Sequence, residues 1–126
     1  MKALDKVHEF HKAFRVNVEE KPAIPDLERC KLRQNIIQEE VDELKEAWES
    51  GNIIEVADAL ADIHYVVMGT VLEFGLQDKY PEIFSEVHRS NMSKLDENGK
   101  PLYREDGKVI KSDRYTKPDI KGILKP

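Results

Sequence analysis

The sequence predicts an all-α protein: a bundle-like domain of four to five helices followed by a short irregular or hairpin C-terminal extension. Three observations lead there. Apolar residues recur at three- and four-residue spacing through most of the first 95 positions. Asp26, Gly51, Gly75 and Pro81 fall where helix caps and first turns belong. The stretch from Ile53 to Phe74 is apolar almost all the way round and too long for a strand, despite its β-branched content. With 126 residues and 40% hydrophobic side chains, the chain has enough apolar material for one core. The expected organisation is a helical domain over residues 1–95 and an extension over residues 96–126, packed on that domain or on a partner subunit.

Each element has its own justification. Leu4, Val7, His11 and Phe14 lie at helical spacing and predict a short first helix, broken by Lys21-Pro22-Ala23-Ile24-Pro25. Asp26 is a good N-cap for a second helix running to about Ser50, with Cys30, Ile37, Val41, Leu44 and Trp48 as its core stripe. Ser50-Gly51-Asn52 closes it with a left-handed glycine. The third helix spans Ile53 to Phe74 and must be buried in the protein or in an oligomer interface. Pro81 opens a fourth, carrying Ile83, Phe84, Val87, Met92 and Leu95. Beyond it, Glu105-Asp106-Gly107 between Leu102-Tyr103 and Val109-Ile110 predicts a small hairpin, and Ser112 to Pro126 has little core potential.

Composition excludes several functions. The net charge of -5 argues against phosphate-driven binding to a nucleic-acid polymer. A single cysteine, Cys30, excludes an internal disulfide framework and a thiolate zinc site. The start of the chain lacks the apolar core of a signal peptide. The uncharged run Ile63 to Leu72 is about half a membrane span, so a cytoplasmic protein with no membrane partner is expected. Charge is also unevenly placed. Residues 31–60 carry three basic and eight acidic side chains, whereas residues 91–126 carry nine basic and six acidic. That pattern suggests a cation site beside an anion site.

The acids themselves sharpen this. Glu55, Asp58 and Asp62 interrupt the apolar third helix within roughly 60° of one another at 3.6 residues per turn. No Lys or Arg stands between Ile53 and Phe74 to neutralise them. A buried carboxylate without a partner takes up a proton rather than stay charged, so the stripe calls for a cation. Glu39, Glu40 and Glu43, with Glu46 in reserve, supply a matching row on the second helix. If the two helices run antiparallel about Gly51, Glu43 meets Asp58 and Glu40 meets Asp62. Carboxylate-only ligation suits a hard divalent ion, Mg²⁺ above all, with Mn²⁺ or Ca²⁺ acceptable.

The motifs Leu32-Arg33-x-x-Ile36-Ile37-x-Glu39-Glu40-Val41-x-Glu43-Leu44 and Glu55-x-x-Asp58-Ala59-Leu60-Ala61-Asp62 resemble the signature of the MazG-like all-α NTP pyrophosphohydrolases. That superfamily includes phosphoribosyl-ATP pyrophosphohydrolase and the dimeric dUTPases. The flanks Glu9-Phe10-His11-x-x-Phe14 and His88-x-Ser90-Asn91-Met92-Ser93-Lys94-Leu95 are similar to one small-protein branch. The resemblance implies Mg²⁺-dependent cleavage of the α–β bond of a nucleoside triphosphate, giving a monophosphate and pyrophosphate, in a nucleotide-pool cleaning role. It implies Glu40, Glu43, Glu55 and Asp58 as metal ligands, Glu39 for a second ion or the attacking water, and Asp62 inside the cluster or just outside it. Asp58-x-x-x-Asp62 also aligns to the second acidic pair, so its register stays open. Asn91 and Lys94 match positions near the substrate, where Lys94 would pair with phosphate and Asn91 with sugar or base. The resemblance also implies subunit association, as a dimer or tetramer.

Two further residues continue the acid stripe along the third helix. Gly69 costs that helix about 1 kcal/mol relative to alanine, and either space for a base beside Tyr65 or close helix packing would explain it. His8, His11, His64 and His88 show no spacing that meets the acids, so packing or hydrogen bonding is their expected role. Rival readings are a di-iron carboxylate bundle, which lacks its usual Glu-x-x-His here, a non-catalytic metal- or nucleotide-sensing module, and a purely structural oligomer. Phosphoribosyl-ATP stands as an alternative substrate to the (d)NTPs.

Overall fold

Two polar side chains set the start of the long helices. Asp26 accepts a hydrogen bond from Arg29 N at 2.9 Å, and Asn52 accepts from Ile54 N at 3.0 Å and Glu55 N at 3.2 Å. Between them Gly51 takes φ 70°, where a Cβ would be strained. The computed structural model describes residues 2–125. Its element order is α1 (Ala3–Phe14), α2 (Leu27–Glu49), α3 (Ile53–Glu73), α4 (Tyr80–Met92), β1 (Leu102–Tyr103), β2 (Val109–Ile110) and α5 (Ile120–Leu124). The chain divides into two compact units, Met1–Gln77 and Asp78–Pro126.

In the first unit α1 and α2 both pack on α3. α1 stops at Phe14, ahead of the proline segment, where Arg15 turns left-handed at φ 58° and Val16 N bonds back to His11 O at 2.8 Å. The connecting segment then runs along the end of α3, donating from Glu19 N to Leu72 O and from Ala23 N to Phe74 O, both at 3.0 Å. Gly75 closes α3 at φ 68° directly against the Lys21 carbonyl, a site with no room for a Cβ. The core consists of Val7, Ala47, Ala59, Met68, Val71 and Leu72. The small Ala47 and Ala59 face the α2–α3 contact, so the two helices run close together.

The predicted stripe of α2 is corrected in part. Cys30, Ile37 and Leu44 are half-buried, but Val41 and Trp48 are exposed, Trp48 by 59%. The buried positions of α2 are Arg33 and Ala47. Apolar spacing located a face, but the face that meets α3 is fixed by a small residue and a charged one. α3 is buried mainly toward its C-terminus, at Met68, Gly69, Val71, Leu72 and Glu73, with Ala59 the buried residue of its first half. Ile54, near its start, is 78% exposed.

In the second unit Pro81 occupies the first turn of α4, as expected, and the helix ends at Met92 rather than continuing to Leu95. The hairpin forms at the predicted turn, pairing Leu102 with Ile110 and Tyr103 with Val109. Arg89 holds the C-terminal segment, donating to Thr116 Oγ1 at 2.7 Å and to Lys117 O at 3.3 Å. The short α5, capped by Asp119 through Gly122 N at 2.9 Å, was not expected, because five residues carry no readable period. Among the described residues no helix is long and apolar enough to cross a membrane.

Candidate metal centre

α2 and α3 are joined by the three-residue turn at Ser50 to Asn52 and run antiparallel, so side chains at matching distances from the turn face one another. That geometry brings Glu40 and Glu43 of α2 to Asp62 of α3, with one carboxylate oxygen of each within 4.8 Å of the others. Glu40 and Asp62 are half-buried and Glu43 is exposed, so the cluster is closed on its helix side and open to solvent on the other. The Glu40 Oε2 atom is buried without a hydrogen-bond partner.

The electrostatics follow from the geometry. Desolvation, then a shared hydrogen bond with Glu43 and the charges of Glu43, Asp62 and Glu39, push the Glu40 carboxyl up to about 7. Asp62 is also raised, by desolvation and by the neighbouring Asp58 and Glu43. A buried oxygen with no donor, inside a cluster whose members resist ionising together, is the situation that a bound cation relieves. Three converging carboxylates with an open solvent side fit a hard divalent ion that keeps some of its water. The residues present therefore fit a divalent metal.

The other predicted acids lie around this group. Glu39 and Asp58 are exposed beside it and act on Glu40 and Asp62 through their charge. Glu55 is exposed in the first turn of α3, outside the converging three. Asn91, exposed, lies in the last turn of α4 in the second unit, and the half-buried Lys94 follows the helix, with Lys94 N bonded to Asn91 O at 3.1 Å.

One helical turn along the α2–α3 groove from the acids, a cavity of about 780 Å³ opens between α1, α2 and α3. Phe10, Leu32, Ile36, Tyr65 and Val66 give it apolar walls, with Phe10 and Tyr65 edge to face at 5.7 Å. Tyr65 is thus placed at this cavity. Gly69 is not space for a base. A Cβ there would lie 2.6 Å from Arg33 Nη2 and 2.9 Å from His11 Nε2, so the glycine admits those two side chains against α3. His11 is buried, with its Nδ1 at 3.1 Å from Asn17 O, as its expected hydrogen-bonding role requires.

Sequence reasoning missed a buried charge cluster beneath the cavity. Glu73, with 0% exposure, is paired with Arg29 Nη2 at 2.6 Å and Arg33 Nη1 at 3.0 Å. Arg33 also donates from Nε to Thr70 Oγ1 at 3.1 Å and from Nη2 to Val66 O at 2.9 Å. The available signal was Glu73 itself, an acid at the C-terminal end of an apolar helix, where the helix dipole disfavours it unless a cation is near.

Fold and acids together define an all-α protein with a carboxylate cluster set between two long antiparallel helices. The family model for phosphoribosyl-ATP pyrophosphohydrolase matches residues 7–91, and the chain belongs to that family of phosphoanhydride hydrolases. It is also 35% identical over 68 residues to the uncharacterized protein L479 of Acanthamoeba polyphaga mimivirus. That similarity covers 54% of this chain and 27% of the viral protein, so the chain spans about a quarter of the relative's length.

Proposed function

We propose that the protein is a Mg²⁺-dependent nucleoside triphosphate pyrophosphohydrolase that cleaves the α–β bond of (d)NTPs to a monophosphate and pyrophosphate. The observation that carries this is the convergence of Glu40, Glu43 and Asp62 around an oxygen with no donor, in a chain of this family. Glu40, Glu43 and Asp62 would hold the ion, with Glu55 and Asp58 joining from the first turns of α3 and Glu39 placed to orient the attacking water. Mn²⁺ would serve in the same ligand set. A bound divalent ion neutralises phosphate oxygens and lowers the pKa of a coordinated water. The chain's own task is to position the triphosphate at the solvent-open side of the cluster and to shelter the nucleoside.

The cavity beside the acids supports the second part of that task. Its volume falls in the range of small-molecule sites, and its apolar walls with Phe10 and Tyr65 suit a nucleobase. On their motif alone, Asn91 and Lys94 are assigned to the substrate's polar groups. The exposed Val41, Trp48, Ile54 and Leu60 on the two acid-bearing helices support association with a second copy, as a dimer or tetramer.

The test is incubation with a panel of (d)NTPs and phosphoribosyl-ATP, with Mg²⁺ and with chelator, and identification of the phosphate products. Pyrophosphate with monophosphate, only with metal, is expected, and the panel ranks phosphoribosyl-ATP against the (d)NTPs. Orthophosphate with diphosphate would overturn the bond assignment. Stabilisation by metal and nucleotide without turnover would replace the enzyme by a sensing module. Glu40→Gln and Asp58→Asn should each abolish turnover and keep the helical signal.

A further inference from the structure

The acid cluster works only if α2 and α3 keep one register. Ligand oxygens on a divalent ion stand about 2.0 to 2.6 Å from it, so they lie no more than about 5 Å apart. The three carboxylates here meet that limit, with one oxygen of each within 4.8 Å of the others. Sliding one helix by a single residue moves it about 1.5 Å along the axis and turns the next side chain through about 100°. Small apolar contacts such as Ala47 and Ala59 offer little resistance to a slide. At one end of the helix pair the turn through Gly51 and the Asn52 cap holds the register. Asp62 lies eleven residues beyond Gly51, so a second restraint is needed on its far side.

Arg33 stands where that restraint belongs. It precedes Glu40 by seven residues, almost two full turns, and so shares its face of α2. Its partners Val66, Thr70 and Glu73 continue the face of α3 that carries Asp62. Three different nitrogens of one planar guanidinium are tied to positions 66, 70 and 73 of α3, each about one helical turn from the next. A fork held in this way cannot follow a sliding helix, whereas a single ion pair could. Gly69 is what lets the fork reach the α3 backbone, since a Cβ would stand 2.6 Å from Arg33 Nη2.

We propose that Arg33, admitted by Gly69, is a positioning residue that sets the α2–α3 register in which Glu40, Glu43 and Asp62 share one ion. This rests on the metal-centre reading above. Its test measures Mn²⁺ affinity by electron paramagnetic resonance, without nucleotide, alongside helicity and thermal unfolding. Arg33→Lys keeps the charge but loses the fork. Gly69→Ala leaves every charge in place and raises helix propensity, yet displaces the guanidinium. Both should stay helical and bind Mn²⁺ roughly 10- to 100-fold more weakly, the scale typical of residues that orient metal ligands. Met68→Ala, which opens a hole in the core of α3 but breaks no clamp bond, should lower the melting temperature and keep wild-type affinity.

Wild-type affinity in either Arg33→Lys or Gly69→Ala overturns the positioning role. So does an equal loss in Met68→Ala, which would make affinity a consequence of stability alone. Failure of the wild-type chain to bind Mn²⁺ removes the metal centre itself.

Discussion

Replacing Glu40 by glutamine should have opposite consequences in the metal-free and metal-bound chain. In the folded chain desolvation and the neighbouring acids raise the Glu40 carboxyl from 4.5 to about 7. The folded state therefore holds this proton more tightly than the unfolded state does. Metal-free stability falls as pH rises from about 4.5 to about 7 and stays lower above that range. A displacement of that size corresponds to at most about 3 kcal/mol. Glu43 and the rim acids face water, and the resulting screening brings the effect nearer 1 to 2 kcal/mol. Glu40→Gln removes the charge and keeps the shape, so in chelator near pH 8 the variant should melt a few degrees above wild type, at roughly 3 to 5 °C per kcal/mol. Near pH 5 the gap should narrow. Addition of Mg²⁺ reverses the order. At a hundredfold excess over its dissociation constant the ion stabilises wild type by about 2.7 kcal/mol, and the variant, lacking a principal ligand, should gain little. Circular dichroism melts in chelator and in Mg²⁺ at the two pH values measure all four states. A variant less stable than wild type in chelator near pH 8, or one with the full Mg²⁺ response, would refute the reasoning.

Three other outcomes follow from the same structure. Burial holds the His11 imidazole below its ordinary 6.5, against the Asn17 carbonyl bond that acts the other way. Its contribution is present above pH 6.5 and is lost as pH falls below it, so His11→Gln in the Glu40→Gln background should flatten the acid limb of a urea-unfolding series. Glu73→Ala leaves Arg33 buried and Arg29 half-buried without their acid, and should cost about 3 kcal/mol in urea unfolding, toward the lower end for a broken buried pair. Trp48→Glu with Ile54→Glu should convert a sedimenting dimer or tetramer to monomer with helicity retained. A monomeric wild type would remove the oligomer proposal.

The parts of this protein that were legible in the sequence are those whose cost is local. Asp26 sits where the backbone leaves N–H groups without partners, and Gly51 where it must turn left-handed. Asp62 was legible for a related reason, as an acid in an apolar helix without a basic residue, and it is the acid of α3 that converges on Glu40 and Glu43, whereas Glu55 and Asp58 are exposed. What stayed hidden depends on pairs far apart in the chain. Arg29 and Glu73 are 44 positions apart, and no spacing rule connects them. Val41 and Trp48 share the apolar spacing of a core stripe yet are exposed, because periodicity marks an apolar face without showing what packs on it.

Gly69 shows how these two kinds of information combine. Its cost to the helix was visible from the sequence, but space for a base and close packing would leave the same mark there. The structure decides between them through distance: Arg33 Nη2 and His11 Nε2 would stand 2.6 and 2.9 Å from a Cβ there. The glycine is thus a local penalty accepted for a long-range clamp, and the clamp stands two turns of α2 from the Glu40 carboxylate. An acid row can be read from one helix alone. Whether two rows meet depends on the register between helices, which is set by a buried arginine seven residues ahead of Glu40 whose partners on α3 no spacing rule names. Variation at Gly69 or Arg33 should therefore disable a chain whose acids are all in place.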